Sequence, residues 1–149
     1  MPTGCEAEVL AELELASEPG GERAVLSVLA DAVEPLGLLP ARRDALATAV
    51  AEATMNAIEH GNDNRRELPV RIVVAATDRD VRVSVSDHAV LGPEPGTTEE
   101  PDIVAKLAGE QSPRGWGLFL MRNLVDEVRA TDHEGGHTVE LVLHRDGAA

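Results

Sequence analysis

Glu52-Ala53-Thr54-Met55-Asn56-Ala57-Ile58-Glu59-His60-Gly61-Asn62 decides how this chain is read. It closes a long predicted helix. Leu46, Val50, Ala53 and Ala57 recur at steps of four, three and four residues and make one apolar stripe. Glu52 and Asn56 lie one turn apart on a second stripe, continued by Glu59 or His60, and roughly 6 Å separates them along the axis. A carboxylate above a carboxamide can do two jobs. The carboxylate can take a proton from a hydroxyl or a water. The amide oxygen can ligate a hard cation such as Mg²⁺. The plain alternative is a polar helix face turned to water, and these two residues alone do not choose between them.

Outward from this helix the chain alternates between strand and helix patterns. Upstream, 7–16 has period two, with Val9, Ala11, Leu13 and Leu15 on one face, which predicts a half-buried strand. Pro19-Gly20-Gly21 breaks it, and 22–36 then predicts a helix with Val25, Val28, Leu29 and Ala32 inward. The central helix runs from Ala41 to about His60, with Gly61 as its cap. Downstream, 69–76 and 81–87 predict two strands. Asp87 falls in phase with Val81, Val83 and Val85. A carboxylate on an inward face is costly unless something donates to it, so Asp87 is the second informative position.

The stretch 88–113 is rich in Gly and Pro and predicts one long irregular segment, with a short helix at 102–108. A loop of that length in a compact domain is usually functional or mobile. Lys106, the single lysine, reads as a surface residue. Arg114-Gly115-Trp116-Gly117 leads into a helix over 118–128. Gly-x-Gly at a helix start lets the backbone approach an anion, where free N–H groups and the positive dipole end can hold phosphate. Trp116 reads as a packing residue there. Two closing strands, 127–132 and 137–145, are joined by Glu134-Gly135-Gly136 as a tight hairpin. This order predicts an α+β two-layer sandwich, with a mixed, mostly antiparallel sheet and its helices on one face.

The 149 residues carry 43% hydrophobic side chains, enough for a single domain with a real core. A single cysteine, Cys5, excludes an internal disulfide and suits a reducing, cytoplasmic setting. The N-terminus lacks a basic-then-apolar leader, and no apolar run reaches membrane-spanning length. A net charge of −14 repels a phosphate backbone, so direct nucleic-acid binding is not expected. The same charge favours a basic protein partner. The five histidines lack zinc-site or metalloprotease spacing, and no nucleophile elbow is present.

Four signals thus stand in a fixed order: Glu52-x-x-x-Asn56, Asp87 ending a strand, Arg114-Gly-Trp-Gly117 opening a helix, and Thr138 after Gly135-Gly136. Together with the strings at 52–62 and 114–128, they resemble the GHKL-type ATPases of the Bergerat ATP-binding fold. Within that group the chain is similar to the small anti-sigma factor serine kinases of the general-stress and sporulation type, over about residues 7–145. The resemblance implies ATP and Mg²⁺ as cofactors. It implies Glu52 as the base toward a substrate serine, Asn56 as the Mg²⁺ ligand and Asp87 as acceptor for the adenine amino group. It implies Gly115 and Gly117 under the phosphates, with Arg114, Trp116 and Leu118 beside them in the cofactor-binding segment. Thr138 would lie beside the adenine–aspartate pair, His60 near phosphate, and 88–113 would form the ATP lid. The implied partners are a sigma factor and a STAS-type anti-sigma factor antagonist, and the implied assembly is a homodimer. One departure is Ala89, where the family's first glycine box usually has glycine. It motivates the alternative of a catalytically weak module of the same fold that sequesters a regulator.

Overall fold

The structure is a computed structural model and describes residues 7–88 and 113–145. The expectations for the interior of 88–113, among them the lid, the helix at 102–108, Ala89 and Lys106, lie outside the described residues.

Alternating Leu and Glu form the first strand, β1 (Glu8–Leu15). Its register against the next strand shifts between Val9 and Ala11, which marks a bulge at Leu10. The bulge turns Leu10 and Ala11 to the core and leaves Val9 54% exposed. The unbroken alternation expected for Val9 is corrected accordingly. Helix α1 (Glu22–Val33) buries Val25, Leu29 and Val33, with Ala32 packed at the edge of the core. It ends earlier than expected, in a 3-10 turn (Glu34–Leu36) closed by Gly37 at φ 67°. Helix α2 (Pro40–Asn56) starts on a proline, whose missing N–H is not needed in a first turn. Leu46, Ala49, Val50, Ala53 and Thr54 face the core.

Strands β2 (Val70–Ala76) and β3 (Asp80–Asp87) form a hairpin. At its turn the Thr77 hydroxyl oxygen accepts the N–H groups of Arg79 and Asp80 at 3.0 and 2.9 Å. Helix α3 (Pro113–Leu124) takes Arg114-Gly-Trp-Gly117 into its own first turns. It stops at Leu124 rather than at Val128, because Glu127 and Val128 begin β4 (Glu127–His133). Strand β5 (Gly136–His144) completes the sheet.

The sheet order is β1-β2-β3-β5-β4, and its four pairings are all antiparallel. The two-layer α+β architecture is as expected, and the sheet is more uniform than the mixed one anticipated. Two helices connect β1 to β2, so the chain returns to the end it left and the next strand runs back. β3 and β4 both run antiparallel to β5, so they run the same way, and β5 fills the space between them. Helix α1 packs on β1 and β2, α2 on β3 and β5, and α3 on α2 and β4. Val70, Ile72 and Val74 from β2, Val81, Val83 and Val85 from β3, and Leu141 and Leu143 from β5 meet Leu46, Val50 and Met121 in one core. At about 1.5–3 kcal/mol for each fully buried aliphatic side chain, this layer contact is the main force that fixes α2 against Asp87's strand.

Candidate functional site

The end of α2 is the first departure from a regular helix. Ala57–Gly61 forms a π-helical turn, and the Asn62 N–H closes it on the Ala57 carbonyl at 2.8 Å. Such turns concentrate at functional sites because they re-aim the side chains around them. Gly61 is not in the left-handed region, so it is not the helix cap the sequence suggested. The chain leaves instead through Asp63 and Asn64, at φ 53° and 56°. Asp and Asn are the residues that tolerate this region best after glycine.

Gly61 is required for a different reason. A Cβ on it would overlap the carboxylate of Asp87. From the other side, a Cβ on Gly136 would overlap the Asp87 backbone carbonyl. Two glycines from distant parts of the chain thus let a buried carboxylate sit against backbone. Asp87 itself is 6% exposed at the inward end of β3, below three fully buried valines. The phase argument from the sequence therefore describes its position.

Asn62 holds this corner together. Its Nδ2 donates to Ser17 Oγ at 2.9 Å and to the carbonyls of Leu68 and Pro69 at 2.9 and 3.2 Å. Its Oδ1 accepts the His88 N–H at 2.7 Å. A fully buried carboxamide thus ties the π turn, the start of β2 and the exit of β3 into one unit. Asn62 stands inside the motif that opened the sequence reading, but its positional role depends on partners remote in sequence.

Glu52 and Asn56 are half-buried on the last two turns of α2, and His60 is half-buried in the π turn. The backbone of Arg114, Gly115, Trp116, Gly117 and Leu118 lies in the first turns of α3, which packs against α2. The π turn packs against β3. The fold thus gathers the segments of Glu52, Asn56, His60, Asp87 and 114–118.

Thr138 is not gathered with them. Register pairs Asp87 with His137 and Ser86 with Thr138, so Thr138 faces the side of the sheet opposite Asp87 and away from the described helices. There its hydroxyl is 2.9 Å from both Ser86 Oγ and His133 Nε2. The expected neighbour of the adenine–aspartate pair is therefore corrected: the side chain beside Asp87 is His137. Its Nδ1 lies 3.9 Å from Asp87 Oδ2 and its Nε2 3.7 Å from Asp132 Oδ1. Alternation of β5 alone did not reveal this, because Val142 is buried among the residues of the opposite phase.

No cluster of three or more His, Cys, Asp or Glu among the described residues could hold a metal ion. A Mg²⁺ site would suit Asn56 all the same. Mg²⁺ is commonly held by one or two protein oxygens, with phosphate and water completing its shell.

Comparison with known proteins bears on the family and the fold. The family profile of the histidine kinase-like ATPase domain matches residues 15–143. The chain belongs to this family. The anti-sigma F factor of Bacillus licheniformis is 33% identical over 98 residues, which cover 65% of this chain and 66% of that protein. The anti-sigma F factor of Geobacillus kaustophilus (strain HTA426) is 36% identical over the same shares. The matched region thus spans just under two thirds of these relatives' length. The SiaB–SiaC complex of Pseudomonas aeruginosa contains a chain that superposes with a TM-score of 0.64 at 15% identity, over 91% of this chain and 89% of that one. The RsbU and RsbW domains of Rv1364c from Mycobacterium tuberculosis give 0.61 at 23% identity, over 89% of this chain and 32% of that one. At these identities the two structures speak for the fold alone. The matched span of this chain includes Asp87, α2 and its π turn. Among the described residues, no helix is long and apolar enough to cross a membrane.

Proposed function

We propose that this chain is an ATP- and Mg²⁺-dependent protein serine kinase of the partner-switching kind. Its substrate is a STAS-type anti-sigma factor antagonist, and it holds a sigma factor once that antagonist is phosphorylated. A cytoplasmic homodimer is part of the same reading. The observation that carries it is Asp87: a carboxylate buried at the end of an inward strand face, with the Gly61 backbone pressed against it and Gly136 against the backbone carbonyl of the same residue. A flat heterocycle with an exocyclic amino group is the kind of ligand that such an acceptor recognises. The partner half is supported by the anti-sigma F factors to which the chain is similar.

In this reading Asp87 accepts from the adenine amino group. The N-terminal turn of α3 brings the free backbone N–H groups of Arg114 and Gly115 to the phosphates, with Trp116, Gly117 and Leu118 following in the same segment. Asn56 ligates Mg²⁺ through its amide oxygen, and His60 approaches phosphate from the π turn. Bound Mg²⁺–ATP supplies a charge-neutralised phosphoryl donor. Glu52 takes the hydroxyl proton of the substrate serine. It stands one helical turn before Asn56, so one rigid helix fixes base and cation ligand relative to each other.

The test is phosphoryl transfer from labelled ATP to a cognate antagonist. Glu52→Ala should lower the rate by about 10²–10⁴ while nucleotide binding persists. No transfer from the wild type, or equal transfer from the variant, rejects the kinase reading. A second reading, a partner-binding module with a weak nucleotide site, is favoured by one observation: an imidazole, His137, stands beside Asp87. Calorimetry with Mg²⁺ and ATP separates the two. Micromolar binding lost in Asp87→Asn supports the kinase, and no heat at high nucleotide concentration supports the module.

A further inference from the structure

Thr138, which stands apart from Asp87, has partners of its own. They lie on the opposite face of the sheet, where Ser86 from β3 and His133 from β4 meet Thr138 on β5. Thr138 Oγ1 is 2.9 Å from Ser86 Oγ and 2.9 Å from His133 Nε2. The other ring nitrogen, Nδ1, is 3.4 Å from the Glu134 carbonyl oxygen. A carbonyl can only accept, so Nδ1 carries the ring proton and Nε2 of the neutral ring keeps its lone pair. Thr138 therefore donates to Nε2, and its own oxygen receives the Ser86 O–H. The hairpin seats the ring. Gly135 turns the chain at φ 86°, and a Cβ on Gly136 would come within 3.1 Å of His133 Cε1. His133 is exposed, and both hydroxyl residues are half-buried.

We propose that Thr138 is an activated nucleophile, with His133 as its general base, and that it takes up an acyl group from an activated ester or thioester. A hydroxyl is a weak nucleophile until a base within hydrogen-bond reach takes its proton, and the base works best when a third group orients it. Here Nε2 is the base and the Glu134 carbonyl orients the ring. Thr138 Oγ1 attacks the acyl carbon and forms the new C–O bond while its proton moves to Nε2. The bond from that carbon to the leaving oxygen or sulfur then breaks. The leaving group departs with the bonding pair and takes the proton from Nε2. Thr138 is left as its acyl ester and the imidazole is neutral again. The surrounding charges favour a neutral acyl carbon over an anionic phosphoryl group. Glu140 lies two residues beyond Thr138 on the same strand face. The arginines of this face among the described strands are paired: Arg71 with Glu12, Arg82 with Asp80, and Arg129 with Glu127 and Glu140. An anionic donor would therefore meet a carboxylate beside cations that are already neutralised. The step uses neither nucleotide nor Asp87, so it is independent of the proposed kinase activity.

The experiment treats the full chain with p-nitrophenyl acetate at about pH 8, where an imidazole is ordinarily neutral. Peptide mass spectrometry follows acetylation at each residue with time. Thr131 is the internal reference, because it is exposed and directly opposite Thr138 on β4. Thr138 should acetylate at least about 10²-fold faster than Thr131, the lower end of what a positioned base contributes. His133→Asn should remove that advantage, and Thr138→Ser should keep it at position 138. Circular dichroism confirms that each variant is folded. Equal rates at Thr138 and Thr131 in the wild type, or no acetyl group at Thr138, overturn the proposal. An unchanged rate at Thr138 in folded His133→Asn overturns it as well. The wild-type comparison needs no variant, so it decides the matter even where a substitution unfolds the chain.

Discussion

At the residue scale the site is built from close approach. Asp87 was legible in the sequence because strand phase is local: three valines at period two set the face, and the aspartate keeps step. Gly61 and Gly136 were legible only as turn formers. Their common reason is the Asp87 residue between them, 26 positions after one and 49 before the other, and no local pattern carries that. Thr138 was misplaced for the same kind of reason: the face of β5 is set by its register on β3, and the strand is central, so buried residues occur in both phases. Gly61→Ala tests the close approach. The methyl must displace the Asp87 carboxylate, so we expect a loss of about 1–3 kcal/mol in urea denaturation, as for other overpacked sites. Calorimetry should show nucleotide affinity falling with it. Gly37→Ala is the control. Gly37 is at φ 67° with open space around it, so that variant should lose about 1 kcal/mol and leave affinity unchanged. Equal effects of the two variants on affinity would remove Gly61 from the site.

At the scale of elements, every helix and strand predicted within the described residues is present, and the irregularities inside them were not legible. The β1 bulge is the clearest case. Alternation assigned Val9 inward, but one extra residue at Leu10 exchanges the faces upstream of it. Nothing in the composition of 8–15 marks it, since every residue there is Ala, Val, Leu or Glu. The π turn is a second case, because its extra residue is accommodated by contacts with β3 rather than by a helix breaker. A pair of lysine substitutions checks the bulge. Val9→Lys falls on an exposed side chain and should change stability by less than about 0.5 kcal/mol. Leu10→Lys strips an apolar contact from the core margin and should cost about 2 kcal/mol by the same urea assay. The reverse ranking would mean that β1 pairs without the bulge.

At the scale of the whole molecule, the sheet order was only half legible. The closing hairpin was visible in the sequence, but which of its strands docks on β3 depends on burial. Val139, Leu141, Val142 and Leu143 are buried on β5, whereas the residues of β4 are exposed or at most half-buried, so β5 takes the interior place. The helical layer is closed onto the far end of this sheet by Asp126. Arg42 of α2 donates to Asp126 Oδ2 and to the His144 carbonyl, both at 2.8 Å, and the His144 N–H donates to Asp126 Oδ2 at 2.7 Å. Burial is the largest single influence on Asp126 and pushes its pKa up. The His144 N–H and Arg42, acting together, outweigh it and hold the pKa below the ordinary carboxylate value. The sign of the linkage follows. A depressed folded-state pKa gives stability that is present above the unfolded value of about 3.9 and is lost as pH falls through the folded value. Acid also protonates other carboxylates in a chain of net charge −14 and relieves repulsion, so the wild-type curve alone would mix two opposite effects. The difference between wild type and Asp126→Asn isolates the clamp. It should be about 1 kcal/mol in urea at pH 7, stay level down to about pH 5, and shrink toward zero in stronger acid. Asp80 and Asp87 mark opposite ends of β3, roughly 23 Å apart at 3.3 Å per residue, so nucleotide affinity should not change in this variant. A stability difference that persists below pH 2 would assign the role of Asp126 to shape, with its charge irrelevant.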